Sequence, residues 1–382
     1  MTRLNVMQPW LGEAEVSALT EVIASGWIAQ GPRVAAFETA FATMQQAHEA
    51  IAVSSCTTAL HLALVVAGVG PGDEVVVPSF SFIATANAPT YVGARPVFAD
   101  VDPVTGNVTA ETVAAVLTER TRAVIAVDQA GVPVHLDELR DLCDPRSIVV
   151  IEDAACAAGS TYRGRPVGAG AEIAAWSFHP RKILTTGEGG MITTSRSDWA
   201  ARVRRLREHS MSASAADRHT SILAPAEEYA EIGFNFRMTD LQAAVGLVQL
   251  DKLPEAVERR REIAEVYAKY VDDIDGLRSV ADPAWGTSNF QSFWIEVAPP
   301  YRLDRDGLLE HLAYHDISAR RGIMTSHRQP AHDRSRHVPL PVSEHLSDNT
   351  LILPLFHQMS VPEQARVIDA LMTGGKGASW TT

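Results

Sequence analysis

Residues 152–190 read EDAACAAGSTYRGRPVGAGAEIAAWSFHPRKILTTGEGG, and this stretch decides the fold of the chain. Asp153 closes one aliphatic run, Ser177 closes a second run, and Lys182 follows in a loop rich in glycine. Short aliphatic runs of this kind are typical of strands buried in a parallel sheet. Ligands of open α/β sheets bind outside the carboxyl ends of the strands, so these three polar residues are predicted to lie at a binding site.

Runs of the same kind recur along the chain outside this stretch. Segments with helical spacing of apolar residues separate them, for example TTALHLALVVAG (57–68) and VHLDELRDLC (134–143). Strands that alternate with helices indicate an α/β fold, with a mostly parallel sheet covered by helices. We predict seven strands for this sheet, at residues 51–55, 74–80, 95–101, 121–129, 147–155, 173–178 and 190–195.

The rest of the chain predicts a helical start and a smaller second domain. Residues 240–270 form one long pattern of strong helix formers, which we interpret as a helix that bridges two domains. We therefore expect a large domain over residues 1–250 and a smaller α+β domain over residues 251–382. The remaining predicted elements are amphipathic helices near 12–25 and 33–48, strands at 289–297 and 351–355, helices near 304–315 and 361–372, and a frayed tail over the last ten residues.

Composition and charge exclude several classes of protein. The chain has 382 residues, of which 46% are hydrophobic, and its net charge is 33 − 46 = −13. The length and hydrophobic content exclude a fibrous or disordered protein, and the acidic balance argues against a nucleic-acid partner. No apolar run approaches the roughly 18 residues of a membrane helix, and the first residues lack the apolar stretch of a signal peptide. We therefore expect a cytoplasmic protein without a membrane partner.

Metal and nucleotide sites are also disfavoured by the sequence. The three cysteines are too few and too scattered for a disulfide framework or a Cys-rich zinc site. His327, His332 and His337 are five residues apart, which is not a zinc-ligand spacing, so we expect no bound metal. GVGPGD (68–73) lacks the spacing of a dinucleotide-binding loop, and GGKGAS (374–379) is not a Walker A loop.

The polar residues of the opening stretch suit one kind of cofactor chemistry. Lys182 suits a lysine that forms a Schiff base, and Asp153 suits a carboxylate that keeps a pyridine nitrogen protonated and electron-withdrawing. A cofactor phosphate also needs backbone N–H donors at the start of a helix. The segment SSCTTALHLAL (54–64) supplies a strand-to-helix turn rich in serine and threonine, and we predict this turn to be the phosphate site.

Six motifs follow one another along the chain, namely SGWIAQGPRVAAFE (25–38), SSCTTALHLAL (54–64), VPSFSFIATANA (77–88), EDAA (152–155), SFHPRKILTTGEGG (177–190) and GFNFRMTDLQAA (233–244). Together they resemble the DegT/DnrJ/EryC1/StrS family of sugar aminotransferases. That family uses pyridoxal 5′-phosphate (PLP) on a fold of type I. The resemblance runs over nearly the whole chain, and the last two motifs are the most specific. It implies a fold-type I, PLP-dependent transferase.

The resemblance implies a role for each residue of the cofactor site. Lys182 would carry PLP as the internal aldimine, and Asp153 would bond the pyridine nitrogen. Ser177 would hold the cofactor phosphate together with the turn at Cys56 and Thr57. These residues form the predicted catalytic and cofactor-binding set of a single chain.

Further residues are implied to complete the site. Phe82 would stack on the cofactor ring, with Phe80 as the competing aromatic residue. Asn235 matches a residue that, in this family, reaches the cofactor phosphate of the neighbouring subunit, so the resemblance implies a homodimer with shared active sites. Arg237 would lie nearby as a structural cation or a cation on the substrate side.

Three positions depart from the commonest form of the family pattern. Cys56 often corresponds to glycine, which matters little if only backbone amides serve the phosphate. Cys156 often corresponds to glutamine, and it lacks the amide of that residue. Asp128 often corresponds to histidine, which changes the group available for substrate recognition.

The function implied by the resemblance is an aminotransferase that moves an amino group from an amino acid, glutamate, to a keto-sugar linked to a nucleotide. Such reactions serve amino-sugar, polysaccharide or antibiotic biosynthesis. Lys182 argues against the dehydratase branch of the family, whose members replace this lysine. Two alternatives stay open: an aminotransferase for a cyclitol or another antibiotic precursor, and a non-catalytic regulator on the same fold. Arg320 and Arg321 likewise fit either a clamp for an anionic substrate or an exposed basic pair.

Overall fold

The computed structural model describes residues 3–212, 227–332 and 338–375. His337 and the end of the predicted frayed tail, residues 376–382, lie outside the described residues. The strands of the described chain are β1 (Glu49–Val53), β2 (Glu74–Pro78), β3 (Arg95–Ala99), β4 (Thr121–Val127), β5 (Val149–Asp153), β6 (Thr161–Tyr162), β7 (Arg165–Pro166), β8 (Ile173–Ser177), β9 (Gly190–Thr194), β10 (Leu277–Ser279), β11 (Gly286–Thr287), β12 (Phe293–Val297), β13 (Arg320–Arg321) and β14 (Thr350–Leu353).

The large sheet contains all seven strands that the sequence predicts for it. Its strand order is β1-β9-β8-β5-β4-β2-β3, and every neighbouring pair is parallel except the two pairs that involve β9. Its β-branched and aliphatic residues are buried, as in the fully buried run of β2, because helices cover the sheet. The prediction of a mostly parallel α/β sheet is therefore confirmed.

The reversed direction of β9 brings two strand ends to one point. β9 lies between β1 and β8, and its first residue, Gly190, pairs with the last residue of each neighbour, Val53 and Ser177. The carboxyl ends of the parallel strands β4 and β5 open on the same edge of the sheet, where Val127 pairs with Asp153. This edge is where an open α/β sheet binds its ligands.

The predicted helices also occur. The helices of the described chain are α1 (Glu13–Ser25), α2 (Pro32–Gln45), α3 (Cys56–Val66), α4 (Ile83–Tyr91), α5 (Ala110–Ala114), α6 (Leu136–Cys143), α7 (Ser197–Leu206), α8 (Asp240–Val271), α9 (Arg305–Tyr314), α10 (Pro341–Asn349) and α11 (Val361–Gly375). α8 is the long helix expected near residues 240–270, and it runs unbroken past residue 250. Within the described residues, no helix is both long and apolar enough to cross a membrane.

Beyond α8 the chain builds a second, antiparallel sheet in the order β10-β12-β14-β13. β12 and β14 correspond to the two strands predicted there, although β12 begins at Phe293 rather than at residue 289. A third sheet, β11-β6-β7, joins residues 286–287 to residues 161–166. Sequence patterns missed the two-residue strands β6, β7, β11 and β13 and the three-residue strand β10, because so few residues cannot show alternation.

Glu74, at the start of β2, is a buried carboxylate that ties three strands together. It accepts hydrogen bonds from Arg95 of β3 at 2.6 Å, from Arg120 before β4 at 2.8 Å and from Thr118 at 2.7 Å. Burial alone would raise the pKa of Glu74, but these hydrogen bonds outweigh burial and lower the pKa to about 2. Glu74 therefore stabilises the fold in its charged form.

We expect Glu74→Gln to lower the free energy of unfolding at neutral pH by about 2 kcal/mol, because the charge that the two arginines face is lost. Folding lowers the pKa of Glu74 from 4.5 to about 2, so its contribution is fully present above about pH 5 and is lost as the pH falls toward about 2. Urea unfolding at several pH values should show the gap between wild type and variant closing over this range. Glu119→Gln, at an exposed position nearby, is the control, and a gap independent of pH would contradict the ion pairing.

Candidate active site

Asp153 is the last residue of β5, and its carboxylate is held by three donors. It accepts hydrogen bonds from the Thr85 hydroxyl at 2.9 Å and from the Ala155 N–H at 3.3 Å, and the Cys56 thiol lies 3.9 Å away. Only 4% of Asp153 is exposed. Burial raises its pKa, and the Thr85 hydrogen bond and the charge of Lys182 offset this only in part. A buried carboxylate of this kind lacks a direct cationic partner, and a protonated pyridine nitrogen would supply one.

Lys182 lies in the loop between β8 and β9, and its side chain is half-buried. Its Nζ donates a hydrogen bond to the Cys156 Sγ at 3.0 Å. Burial lowers the pKa of Lys182, but the neighbouring Cys156, Cys56 and Asp153 together outweigh burial and raise it. The surroundings of Lys182 therefore favour the positively charged form of its free amine.

Gln291, which the sequence did not single out, holds the peptides on both sides of Lys182. Its side-chain amide donates to the Arg181 carbonyl at 2.7 Å and accepts from the Ile183 N–H at 2.8 Å. Its own N–H donates to the Asn289 side chain, whose amide donates to the carbonyls of residues 156 and 158. Asn289 and Gln291, directly before β12, thus fix both the loop after β5 and the loop that carries Lys182.

These contacts also explain why β12 begins late. The polar groups of Asn289 and Gln291 bond the two site loops, so residues 289–292 do not join the ladder with β14. The signal in the sequence is the pair of amide residues in SNFQSF, directly before a buried strand. A buried amide side chain at such a position is expected to have hydrogen-bond partners elsewhere in the chain.

The turn before α3 presents unused backbone donors. The Ser55 side chain caps α3 by accepting the Thr58 N–H at 3.2 Å. The N–H groups of Cys56 and Thr57 find no acceptor within the described chain. Free N–H groups at a helix N-terminus attract anions, and phosphate above all.

Ser177 and Gly190 lie beside this turn, and with the N–H groups of Cys56 and Thr57 they form a candidate phosphate cradle. A Cβ at position 190 would overlap the backbone of Ser55 and Cys56, so the glycine allows the turn to pack against β9. Ser177 pairs with Gly190 across the sheet. Its half-buried hydroxyl forms no hydrogen bond with the described residues, so it is available to the same anion.

The two aromatic candidates differ in exposure. Phe82, at the N-cap of α4, is 59% exposed, whereas Phe80 is only 1% exposed. The Phe80 ring packs against Gly106, where a Cβ would lie 3.0 Å from the ring. Phe82 lies three residues before Thr85, the residue that bonds Asp153, and the Thr85 N–H donates to the Phe82 carbonyl at 3.1 Å. Of the two rings, Phe82 is the one that a flat ligand can reach.

Asn235 lies outside this cluster. Phe234 and Phe236 on either side stack on one another with ring centroids 4.8 Å apart. The Phe236 carbonyl accepts the Ser54 N–H at 2.9 Å, which ties this loop to the phosphate turn. The Asn235 side chain itself is exposed and forms no hydrogen bond within the described chain.

The two unusual residues Cys156 and Asp128 also have defined surroundings. Cys156 is the acceptor for Lys182 at 3.0 Å. Asp128 is completely buried, and its Oδ1 accepts the Val134 N–H at 2.9 Å. Burial raises the pKa of Asp128, and the nearby charge of Glu152 raises it further. Asp128 therefore holds the turn after β4, and it is not exposed to a substrate.

The donor set fits a cofactor with a pyridine ring, a carbonyl carbon and a phosphate. The carboxylate of Asp153 is buried without an ion-pair partner in the described chain, and the Lys182 amine lies on the same side of the sheet. The N–H groups of Cys56 and Thr57 and the Ser177 hydroxyl have no acceptor there, so they can donate to a phosphate. No group of three metal-ligating side chains converges within the described ranges. The chemistry of these residues is that of a PLP site.

Comparisons with known proteins agree with this chemistry. Residues 9–372 match the DegT/DnrJ/EryC1/StrS aminotransferase family. The aminotransferase TlmJ of Streptoalloteichus hindustanus is 38% identical, with a TM-score of 0.90 over 97% of this chain and 98% of that chain. Spr1654 of Streptococcus pneumoniae, in its PLP form, is 26% identical, with a TM-score of 0.90 over 98% of each chain. DesI, solved in the presence of its TDP-sugar product, is 30% identical, with a TM-score of 0.89 over 98% of this chain and 94% of that chain.

The sheet and these likenesses define the class of protein, which is that of the PLP-dependent aminotransferases of fold type I. This confirms the enzyme class, the fold class and the cofactor expected from the sequence. Since the family match covers most of its length, the chain belongs to the DegT/DnrJ/EryC1/StrS aminotransferase family.

We expect Gln291→Ala to lower turnover by about tenfold or more, because the peptides around Lys182 lose the two bonds that align its side chain. The free energy of unfolding should fall by about 1–3 kcal/mol. Steady-state kinetics and urea unfolding of the PLP-loaded enzyme measure the two effects.

Gln249→Ala is the matched control for this change. Gln249 is also a buried glutamine, but its amide donates to the Trp10 carbonyl and to Glu15. We expect a similar loss of stability with turnover unchanged. Equal losses of turnover in the two variants would show that Gln291 acts only through stability.

Proposed function

We propose that this aminotransferase moves an amino group from glutamate to a keto-sugar that is linked to a nucleotide. The observation that carries the proposal is the meeting of Asp153, Lys182 and the phosphate cradle at one edge of the sheet. Support for a sugar acceptor comes from DesI, which was solved with its TDP-sugar product. The product would enter amino-sugar, polysaccharide or antibiotic biosynthesis.

Lys182 and Asp153 would carry the chemistry. PLP, when bound, supplies a protonated ring that withdraws electrons from the α-carbon of the donor. Asp153 would keep the ring nitrogen protonated, and its raised pKa without a cation supports this pairing. Lys182 would bind the cofactor through Nζ. Once the donor amine has released Nζ as a neutral amine, the same atom would take the α-proton of the donor.

The other candidate residues would hold the cofactor in place. The N–H groups of Cys56 and Thr57 and the Ser177 hydroxyl would bind the phosphate, since all three donors are otherwise without an acceptor in the described chain. The exposed ring of Phe82 would stack on the cofactor.

We further propose that the active unit is a homodimer with shared sites. The exposed side chain of Asn235 supports this, because its loop is tied to the turn before α3 while its amide forms no hydrogen bond within the described chain. The phosphate held by the partner would satisfy that amide. Each active site would then be formed by residues of both chains.

The location and the domain division are also proposals. All three cysteines are free thiols, which supports the reducing cytoplasm. The second sheet lies wholly beyond α8, which supports a large domain over residues 1–250 and a smaller one over residues 251–382.

A panel of ketones tests the acceptor. We expect enzyme loaded with the amine of glutamate to aminate a nucleotide-linked keto-sugar and to leave the free keto-sugar and a cyclitol ketone unchanged, with products detected by mass spectrometry. Lys182→Ala should aminate none of them, because the base is lost. If the enzyme aminates only the cyclitol ketone, the proposed sugar acceptor is wrong. If the wild type takes no amine from glutamate, the proposed donor is wrong.

Mixed dimers test the shared site. Neither Lys182→Ala nor Asn235→Ala alone has an intact site, but a mixed dimer combines wild-type Lys182 from one chain with wild-type Asn235 from the other. Co-expression should restore about a quarter of wild-type activity, since half of randomly mixed dimers are mixed and each has one good site.

Two controls make the mixed-dimer result decisive. Borohydride should fix the cofactor on Lys182 in the Asn235→Ala chain and on no residue of the Lys182→Ala chain, as read by mass spectrometry. Differently tagged chains show that mixing occurred. Confirmed mixing without rescue would mean that each site is built within one chain.

A further inference from the structure

A cleft of about 420 Å³ lies beside the loop that carries Lys182. Its walls come from the N-terminal segment, the lysine loop and the segment that leads into β13. Arg3, Arg181 and Arg320 line it, and no acidic residue of the described chain does so. The cleft therefore concentrates positive charge in a chain whose net charge is −13.

No carboxylate among the described residues neutralises the guanidinium groups of this cleft. Arg3 donates a hydrogen bond to the Ser318 hydroxyl at 2.7 Å. Arg181 and Arg320 form no ion pair or side-chain hydrogen bond with the residues that the structure describes. Most other arginines of the chain face a carboxylate or a carbonyl, so these groups are open to an external oxyanion, which guanidinium binds through paired hydrogen bonds.

The sequence alone does not distinguish the roles of Arg320 and Arg321, but their places in β13 do. Successive side chains of a strand point to opposite faces. Arg321 pairs with Asp306 at 3.2 Å, whereas Arg320 lines the cleft. The clamp for an anion therefore includes Arg320 without Arg321, and Arg321 becomes a natural control.

The cleft adjoins the reacting lysine. Arg181 and Lys182 are consecutive, so their Cα atoms are about 3.8 Å apart. Gln291 bonds the peptide on each side of Lys182, which fixes the backbone from which both side chains leave. The Lys182 amine lies on Cys156, while Arg181 is exposed in the cleft. The cleft and the Lys182 amine therefore share one fixed loop, with Arg181 on the cleft and the next residue carrying the amine.

We propose that this cleft binds the diphosphate of the nucleotide-linked keto-sugar, an inference that rests on the proposed function above. The diphosphate of a nucleotide-linked sugar carries one negative charge on each of two adjacent phosphates, and its clustered oxygen atoms offer acceptors to all three arginines. The proposed donor glutamate carries two carboxylates of one charge each, separated by its carbon chain, and each pairs with a single arginine. Arg3, Arg181 and Arg320 are thus residues that select a diphosphate-linked sugar over a free one.

Calorimetry of the PLP-loaded enzyme with inorganic pyrophosphate tests the cleft, because the bound cofactor keeps the probe out of the cofactor's phosphate site. We expect wild type to bind pyrophosphate and the double variant Arg181→Gln, Arg320→Gln to bind it about tenfold or more weakly. Added salt should weaken the wild-type binding. Arg321→Gln should stay within about twofold of wild type. All three side chains are exposed, and melting temperatures check that each variant is folded.

Glutarate, a dicarboxylate without an amine, tests the amino donor as the source of the anion. If the double variant loses affinity for glutarate while pyrophosphate binding is unchanged, the cleft holds the donor and the proposal is overturned. Equal pyrophosphate affinity in wild type and double variant, or no binding to wild type, overturns it as well. A loss of the same size in Arg321→Gln would show only a general effect of surface charge and would also overturn it.

Kinetics separate a failure of this inference from a failure of the proposed function. If both hold, the double variant raises KM for the nucleotide-linked keto-sugar by about tenfold or more and leaves KM for glutamate unchanged. If wild type aminates that sugar and the double variant does so equally well, the cleft assignment fails and the function stands. If wild type aminates no keto-sugar yet pyrophosphate binding depends on both arginines, the function fails and the anion site stands.

Discussion

The site depends on a close approach of two backbones at Gly190. β9 begins there against the ends of β1 and β8, and any side chain at this position would overlap the turn at Ser55 and Cys56. The absence of a Cβ lets the start of α3 lie beside Ser177, so that the donors of a helix N-terminus and a hydroxyl share one point. The single reversed strand of the sheet is what creates that point.

The site also depends on the segment before β12, which includes Phe290 and Gln291. The buried guanidinium of Arg260 donates to the carbonyls of Phe290 and Gln291 at 2.7 and 2.9 Å, and no carboxylate of the described residues pairs with it. Burial lowers the pKa of Arg260 to about 9. This arginine of α8 holds the segment whose amide side chains hold the Lys182 loop and the loop after β5. The Lys182 loop and the loop after β5 are therefore positioned by residues near 290.

Charge is divided between the interior of the site and the cleft beside the Lys182 loop. Asp128, Glu152 and Asp153 are buried near one another at the ends of β4 and β5, and burial raises the pKa of each, that of Glu152 to about 7. This region favours a cation such as a protonated cofactor ring. The arginines beside the Lys182 loop favour an anion. A substrate with a reacting carbonyl at one end and an anionic group at the other suits such an arrangement.

The sequence by itself determined the seven-stranded sheet, the long helix α8 and the cluster of Asp153, Ser177 and Lys182. These follow from hydrophobic periodicity and from polar residues at strand ends, which are local signals. Only the tertiary structure decided that Gln291 brackets Lys182, that Thr85 bonds Asp153 and that β13 sends Arg320 and Arg321 to opposite faces. The Gln291 and Thr85 contacts join residues 108 and 68 positions apart in the chain, and no local pattern specifies which distant side chain a buried polar group will meet. The roles of Arg320 and Arg321 could not be told apart from the sequence for a related reason. The strand that places them on opposite faces forms only by pairing with β14.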